Sequence, residues 1–270
     1  QNLNIRTGVI GYPKKTTLKN MSVVISENSA YVRNSIHRLY NVIHSQEEHN
    51  HNSFTYSMLC DTIKFLDKNL IDLSFAQVQQ IEFGLNITTV ISPEEIIRRN
   101  VLMHKFKNYN HNIKYYGNTK AELKQYDYYS YFIKVYDKGK AFQLEAYIFR
   151  FEIKLMKKRD IQNIGINSIF DLTDRMKLRK LFLLLMKRYD EMIIVDEFYD
   201  NITITLEDRN KLNNYRNSIF WEEEIRDKSR QTKAYHKKQF QRILEKYNLL
   251  NIKKYLRNQL VQKFIYLMNN

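Results

Sequence analysis

Three short segments hold the residue types with the most chemical potential. They are Gln80-Ile81-Glu82, Ile133-Lys134-Val135-Tyr136-Asp137-Lys138 and Phe149-Arg150-Phe151-Glu152-Ile153-Lys154, each alternating apolar with polar side chains. Residues two apart in a strand share a face. On that rule Glu82 lies in a row with Gln80, Gly84 and Asn86, Tyr136 with Lys134 and Lys138, and Glu152 with Arg150 and Lys154. If the strands are neighbours, one face of the sheet presents two carboxylates, a phenol and several cations. Such a set suits a phosphodiester. Two carboxylates can hold a hard divalent cation, Mg²⁺ or Mn²⁺, which polarises a phosphate and stabilises a departing oxygen. Lys134, Lys154 and Arg150 would neutralise phosphate charge. The Tyr136 phenol, which ordinarily ionises at about pH 10, becomes a usable nucleophile when nearby cations and a metal-bound phosphate stabilise its anion. The plainer alternative is that these charges are the solvent side of an antiparallel sheet. Tyr136 is one of 20 tyrosines, so parity alone does not single it out.

The elements that position these residues follow from the same periodicities. The inner rows are apolar: Ile81, Phe83, Leu85 and Ile87; Ile133 and Val135; Phe149, Phe151, Ile153 and Leu155. The patterns predict strands over Val78 to Ile87, Tyr131 to Lys138 and Tyr147 to Met156, with Asp137-Lys138-Gly139 as a turn and a shorter strand at Ile113 to Tyr116. Met21 to Ile25 and Ala30 to Val32, broken at Glu27-Asn28, read as a hairpin. Leu59, Ile63, Leu66 and Leu70 recur at helical spacing within Tyr56 to Leu70. Ser92-Pro93-Glu94-Glu95 has the cap, the proline and the acidic first turn of a helix running to about Phe106. Residues 168 to 192 read as a helix, 200 to 216 as a loop or boundary, and 218 to 268 as a helical block.

Composition narrows the partner. The 270 residues carry 44 Lys and Arg against 29 Asp and Glu, a formal charge of +15, which favours a polyanion. From Asn201 onward there are 15 Lys and Arg against 7 Asp and Glu, so the last helices are basic, either as a solvated face or as a DNA-contacting surface. One cysteine, Cys60, forms neither an internal disulfide nor a zinc cluster, and this points to a reducing, cytoplasmic setting. No stretch has the roughly 18 uninterrupted apolar residues of a membrane span, so no membrane partner is expected. No phosphate-binding glycine loop of the nucleotide-hydrolysing kind occurs.

At these same residues the chain resembles a known group. Phe149 to Lys154 is similar to the Arg-Phe-Glu strand of the gene II replication proteins of filamentous phages and of the broader replication initiation factor group. Ile133 to Lys138 resembles the strand that bears the nicking tyrosine there, with a lysine two residues later. Gln80-Ile81-Glu82 falls where the group has Arg-Ile-Asp, and His51-Asn52-Ser53-Phe54 where it has Gly-His-Asn-x-Phe. Ser35 to Arg38 falls at a strand ending in Ser-Pro-x-Lys, with Ile36 in place of the proline, and Lys158 to Ile166 resembles the segment after Arg-Phe-Glu. The likeness runs in order over about residues 21 to 170.

The resemblance implies roles for particular residues. Tyr136 would be the nucleophile with Lys138 beside it, Glu82 and Glu152 the metal-site acids, and His51 a third ligand or a positioning group. Arg38, Asn52, Lys134, Arg150 and Lys154 would contact DNA. His49 is read as a solvated loop residue, and Tyr115-Tyr116 as the fallback nucleophile pair. The expected fold is α+β, an antiparallel sheet with helices packed on one face. An HUH-type nickase domain would span residues 1–200 and a basic helical accessory region 201–270. The implied activity is nicking of single-stranded or extruded origin DNA in rolling-circle replication. It would give a 5′-phosphotyrosyl link and a free 3′-OH, with Mg²⁺ or Mn²⁺ as cofactor and a host helicase and polymerase as partners. A conjugative relaxase of the same chemistry and a non-catalytic DNA-binding regulator are the alternatives.

Overall fold

The structure is a computed structural model and describes residues 2–3, 10–70, 73–198 and 204–270. The chain divides into two compact units, one of residues 1–77, 168–175 and 266–270, the other of residues 78–167 and 176–265.

In the first unit Asn2–Leu3 (β1) pairs with Ile10–Gly11 (β2), and Lys14–Leu18 (β3), Met21–Ile25 (β4) and Ala30–Arg33 (β5) form an antiparallel meander. The predicted hairpin is there, with Ile25 opposite Ala30, and it gains β3, which the hydrophobic pattern did not mark. Ile36–His44 (α1) occupies the place where a strand was expected to end. The cause is local: the Ser35 hydroxyl accepts a hydrogen bond from the Arg38 backbone N–H at 3.2 Å, a helix N-cap. Tyr56–Asn69 (α2) is the predicted amphipathic helix and buries Leu59, Ile63 and Leu66. Met21, Leu39, Leu66 and Leu73 make the core, with Ile169 and Phe170 packed against them.

The second unit is built on five strands: Ile81–Thr88 (β6), Tyr115–Tyr116 (β8), Ala121–Asp127 (β9), Tyr131–Asp137 (β10) and Ile148–Leu155 (β11). Their order is β6-β11-β10-β9-β8, and every neighbouring pair is antiparallel. After β6, Pro93–Glu95 (α3) continues as a π-helical turn over Ile96–Asn100 and then becomes a strand, Val101–His104 (β7). The helix predicted to reach Phe106 therefore ends at Asn100, because Val101 to His104 find strand partners in Met192–Ile194 (β12). Asp137-Lys138-Gly139, predicted as a turn, opens a short helix, Lys138–Ala141 (α4), which the Asp137 side chain caps by accepting from the Lys140 N–H at 2.9 Å. Lys158–Asn163 (α5) and Arg175–Asp190 (α6) follow β11. The apolar face of the sheet is core: Ile133, Phe149, Phe151 and Ile153 are wholly buried, and Phe151 meets Tyr189 of α6 edge-on, with ring centroids 5.2 Å apart.

Leu206–Arg216 (α7) lies where a loop was expected, followed by Arg230–Lys246 (α8) and Asn251–Asn269 (α9). Residues of these helices join Met103 and Val195 in one core with Leu212, Tyr215, Trp221, Phe240 and Leu249, and Trp221 lies 4.3 Å from Phe106 between ring centroids. The expected boundary at residue 200 does not coincide with the division of the chain, since residues on both sides of it share this core. The fold is α+β with antiparallel sheets. Among the described residues no helix is long and apolar enough to cross a membrane.

Candidate functional site

Strand register decides which side chains share a face. Tyr136 is the direct partner of Arg150, Lys134 of Glu152, Glu152 of Gly84, Arg150 of Asn86 and Lys154 of Glu82. Tyr136, Glu82, Glu152, Lys134, Arg150 and Lys154 therefore lie on one face of β6, β10 and β11, as the alternation predicted. Gly84 is part of this construction. A Cβ there would collide with the Glu152 Cβ and come within 2.8 Å of the Phe151 carbonyl oxygen, so only glycine lets the Glu152 side chain lie across β6.

The face is not an open polar surface. Glu152 is 1% exposed and Tyr136 1% exposed. The Glu152 carboxylate is held at one oxygen by the Arg150 Nε at 2.5 Å and at the other by the Lys134 Nζ at 3.3 Å. Arg150 also donates to the Asn86 Oδ1 at 2.9 Å. Burial alone would raise the Glu152 carboxyl, but Arg150 and then Lys134 outweigh it and hold the group below the usual carboxylate range. Glu82 is looser: its side chain is 40% exposed, 4.0 Å from Lys134 and 3.9 Å from Lys154.

Tyr136 sits at the closed end. Its ring stacks on Tyr116, with centroids 4.2 Å apart and planes at 11°, and its hydroxyl accepts from the Lys138 Nζ at 3.5 Å. Lys138 was expected to continue the polar row of the strand. It instead starts α4, wholly buried, with its ammonium 4.5 Å from the centre of the Phe142 ring. The phenol was expected to be eased towards its anion by nearby cations. In this state burial pushes it far above the ordinary tyrosine range, Arg150 opposing and Glu152 reinforcing the shift. Of the fallback pair, Tyr115 is exposed and Tyr116 is the stacking partner of Tyr136.

The other three sequence-derived site residues, His51, Asn52 and Arg38, belong to the first unit. Asn52 is tied up there: its Oδ1 is 2.6 Å from the His37 Nε2 and accepts from the Asn41 Nδ2 at 3.0 Å. His51 stacks on His49 at 3.9 Å between centroids. His49, read as solvated, pairs with Glu47 at 2.6 Å and lies 3.2 Å from Asn41 through its other ring nitrogen. This is a network that pins the loop between α1 and α2. Sequence reasoning did not single out Asn86, Phe142 or Gln125, which lies opposite Lys134 on β9. Asn86 stood in the right row, while Phe142 and Gln125 come from segments with no legible pattern.

The cofactor that the resemblance implies is Mg²⁺ or Mn²⁺, a hard cation that takes oxygen ligands. Among the described residues no three His, Cys, Asp or Glu side chains are grouped as a metal site would require. Glu152 is already paired with Arg150 and Lys134, and the looser Glu82 lies within 4.0 Å of the Lys134 and Lys154 ammonium groups. A cation at about 4 Å from an ammonium is opposed by about 4 kcal/mol per unit of charge near a protein surface. The residues as arranged do not fit a divalent ion. The arrangement can do something else: it can hold an anion, since Lys134, Arg150 and Lys154 on this face outnumber Glu82 and Glu152. No family model, curated protein or solved structure matches the chain.

Proposed function

We propose that the chain binds single-stranded or extruded DNA at a replication origin and nicks it by transesterification at Tyr136. The observation that carries this reading is that the Tyr136 hydroxyl lies 3.5 Å from the Lys138 ammonium, on a residue paired with Arg150 across the strands and on a face that also bears Lys134 and Lys154. A phosphate entering there meets the phenol as nucleophile and the cations as the charges that stabilise the pentavalent state. The Tyr136 oxygen forms a bond to phosphorus and the bond from phosphorus to the 3′ oxygen breaks. The phenol loses its proton and the departing oxygen takes one up. The products are a 5′-phosphotyrosyl link and a free 3′-OH, with no net hydrolysis. The buried phenol must be uncovered first, and displacement of the Tyr116 ring by a nucleotide base is the simplest way, because a base supplies the same stacking surface. A host helicase and polymerase would extend the 3′ end, and a relaxase would use the same step on a conjugative element.

A second reading rests on the burial of Tyr136 and on the ion pairs that Glu152 makes with two cations. Both suit a DNA-binding regulator in which the network is structural. One experiment separates the two. Labelled single-stranded oligonucleotides tiled across the DNA element that encodes the chain are incubated with the full-length protein, and covalent adducts are mapped by peptide mass. An adduct on Tyr136 that disappears in Tyr136→Phe supports the nickase. Binding without any adduct, under every divalent-ion condition, supports the regulator.

A further inference from the structure

We infer that Lys134 is a built-in cation occupying the position that a divalent ion would take between Glu82 and Glu152, so that this face handles anions without a metal. The inference stands on the geometry of the sheet and holds whether or not Tyr136 is a nucleophile.

Lys134 is the central residue of the face. It is paired with Glu152 between β10 and β11, and its Nζ approaches both carboxylates, at 3.3 Å from the Glu152 Oε1 and 4.0 Å from the Glu82 Oε2. A hard divalent cation shared by the two carboxylates would compete for these oxygens, and the ammonium already pairs with both. It is also sheltered: the Lys134 side chain is 18% exposed and lies beside the Phe132 ring, 5.2 Å from its centre. Lys154 approaches Glu82 from the next strand at 3.9 Å, so the more open carboxylate is covered by a second ammonium. An ammonium supplies one positive charge and N–H donors in place of the two charges and open coordination positions of Mg²⁺ or Mn²⁺. It would therefore orient a phosphate by hydrogen bonds and offset its charge, without polarising it as a Lewis acid.

Removing the ammonium is expected to turn the pair into a divalent-ion site. Binding of Mn²⁺ is read by the loss of its free spin-resonance signal in the full-length wild type, Lys134→Ala, Lys134→Met and the double variant Lys134→Ala with Glu82→Gln. Arg150 still pairs with Glu152 in every one of these, and thermal melts confirm that each is folded. Wild type should take up Mn²⁺ only weakly. Lys134→Ala and Lys134→Met should each bind one ion at least roughly tenfold more tightly, and the double variant should lose that gain. The inference is overturned if wild type binds one Mn²⁺ as tightly as the lysine variants, if neither lysine variant gains affinity, or if the gain survives Glu82→Gln.

Discussion

Arg150 and Glu152 stand two residues apart on one face of β11, joined by a 2.5 Å contact between the Arg150 Nε and the Glu152 Oε2, with the carboxylate almost fully buried. A buried pair of this kind is costly to break from one side, because the partner keeps its charge and loses its counter-ion. Glu152→Gln should therefore destabilise the fold by about 3 to 5 kcal/mol, read as a shift of the urea midpoint at constant slope.

Glu82 carries the same charge in a different environment. Its side chain is 40% exposed and its contacts with Lys134 and Lys154 are long, so solvent screens most of their effect. Glu82→Gln should change stability by no more than about 1 kcal/mol. Equal losses for Glu82→Gln and Glu152→Gln would show that the two carboxylates form one unit rather than a buried anchor and a loose neighbour.

Gly84→Ala probes the same anchor from the opposite strand. The new methyl group would meet the Glu152 Cβ and the backbone of Phe151, and in a paired strand the backbone cannot retreat. Overpacking of this sort costs about 1 to 3 kcal/mol. The variant should also broaden or shift the Glu152 carboxyl resonance in a labelled sample, because the methyl pushes the side chain away from Arg150.

The alternation of β6, β10 and β11 made this face legible from the residues themselves, since each strand has an apolar row buried on one side only. β9 was not legible. Leu123, Lys124, Gln125 and Tyr126 are all buried in succession, and the Lys124 ammonium is satisfied by the backbone carbonyls of Arg98 and Val101, partners that no local pattern discloses. β7 read as the end of a helix for a similar reason, because its partner β12 lies far along the chain. Parity assigned Tyr136 to the correct face. Its burial depends on Tyr116 and on the short helix after Asp137, which are tertiary matters. Metal ligation was read from the shared strand face of Glu82 and Glu152 and from the resemblance, and it took side-chain placement to show the Lys134 ammonium within 4.0 Å of both acids.

Tyr136→Phe tests chemistry with little cost to the fold. The phenylalanine ring keeps the stack on Tyr116, and the hydroxyl's contacts with Lys138 at 3.5 Å and with the Tyr116 side chain are lost. Stability should fall by about 1 kcal/mol or less, oligonucleotide affinity should be retained within about threefold, and the covalent adduct should vanish. Tyr136→Ala, by contrast, empties a buried ring site and should cost about 3 to 5 kcal/mol, so loss of activity in that variant alone would say nothing about a nucleophile.

His104 provides a pH dependence independent of the candidate site. Its ring is fully buried, its Nδ1 is 2.6 Å from the Tyr128 hydroxyl, and its Nε2 lies 3.4 Å from a Glu191 carboxylate that Arg188 and Lys105 already neutralise. Burial lowers its pKa from 6.5 to about 4, Glu191 opposing that shift and Lys105 and Arg188 adding to it. The unfolded chain therefore takes up a proton near pH 6.5 that the folded chain refuses until about pH 4. The contribution of neutral His104 is fully present above pH 6.5 and is lost as the pH falls towards about 4, at a total cost of up to about 3 kcal/mol. Urea midpoints measured from pH 7 down to pH 4 should fall steeply in wild type. In His104→Gln, whose side-chain amide can still hydrogen-bond the Tyr128 hydroxyl without titrating, the fall between pH 6.5 and 5 should be largely removed. What remains below that range belongs to carboxylates such as Glu191 and Glu152, whose lowered pKa values place their losses further into acid. A variant that kept the full wild-type slope above pH 5 would show that His104 is not the group being protonated.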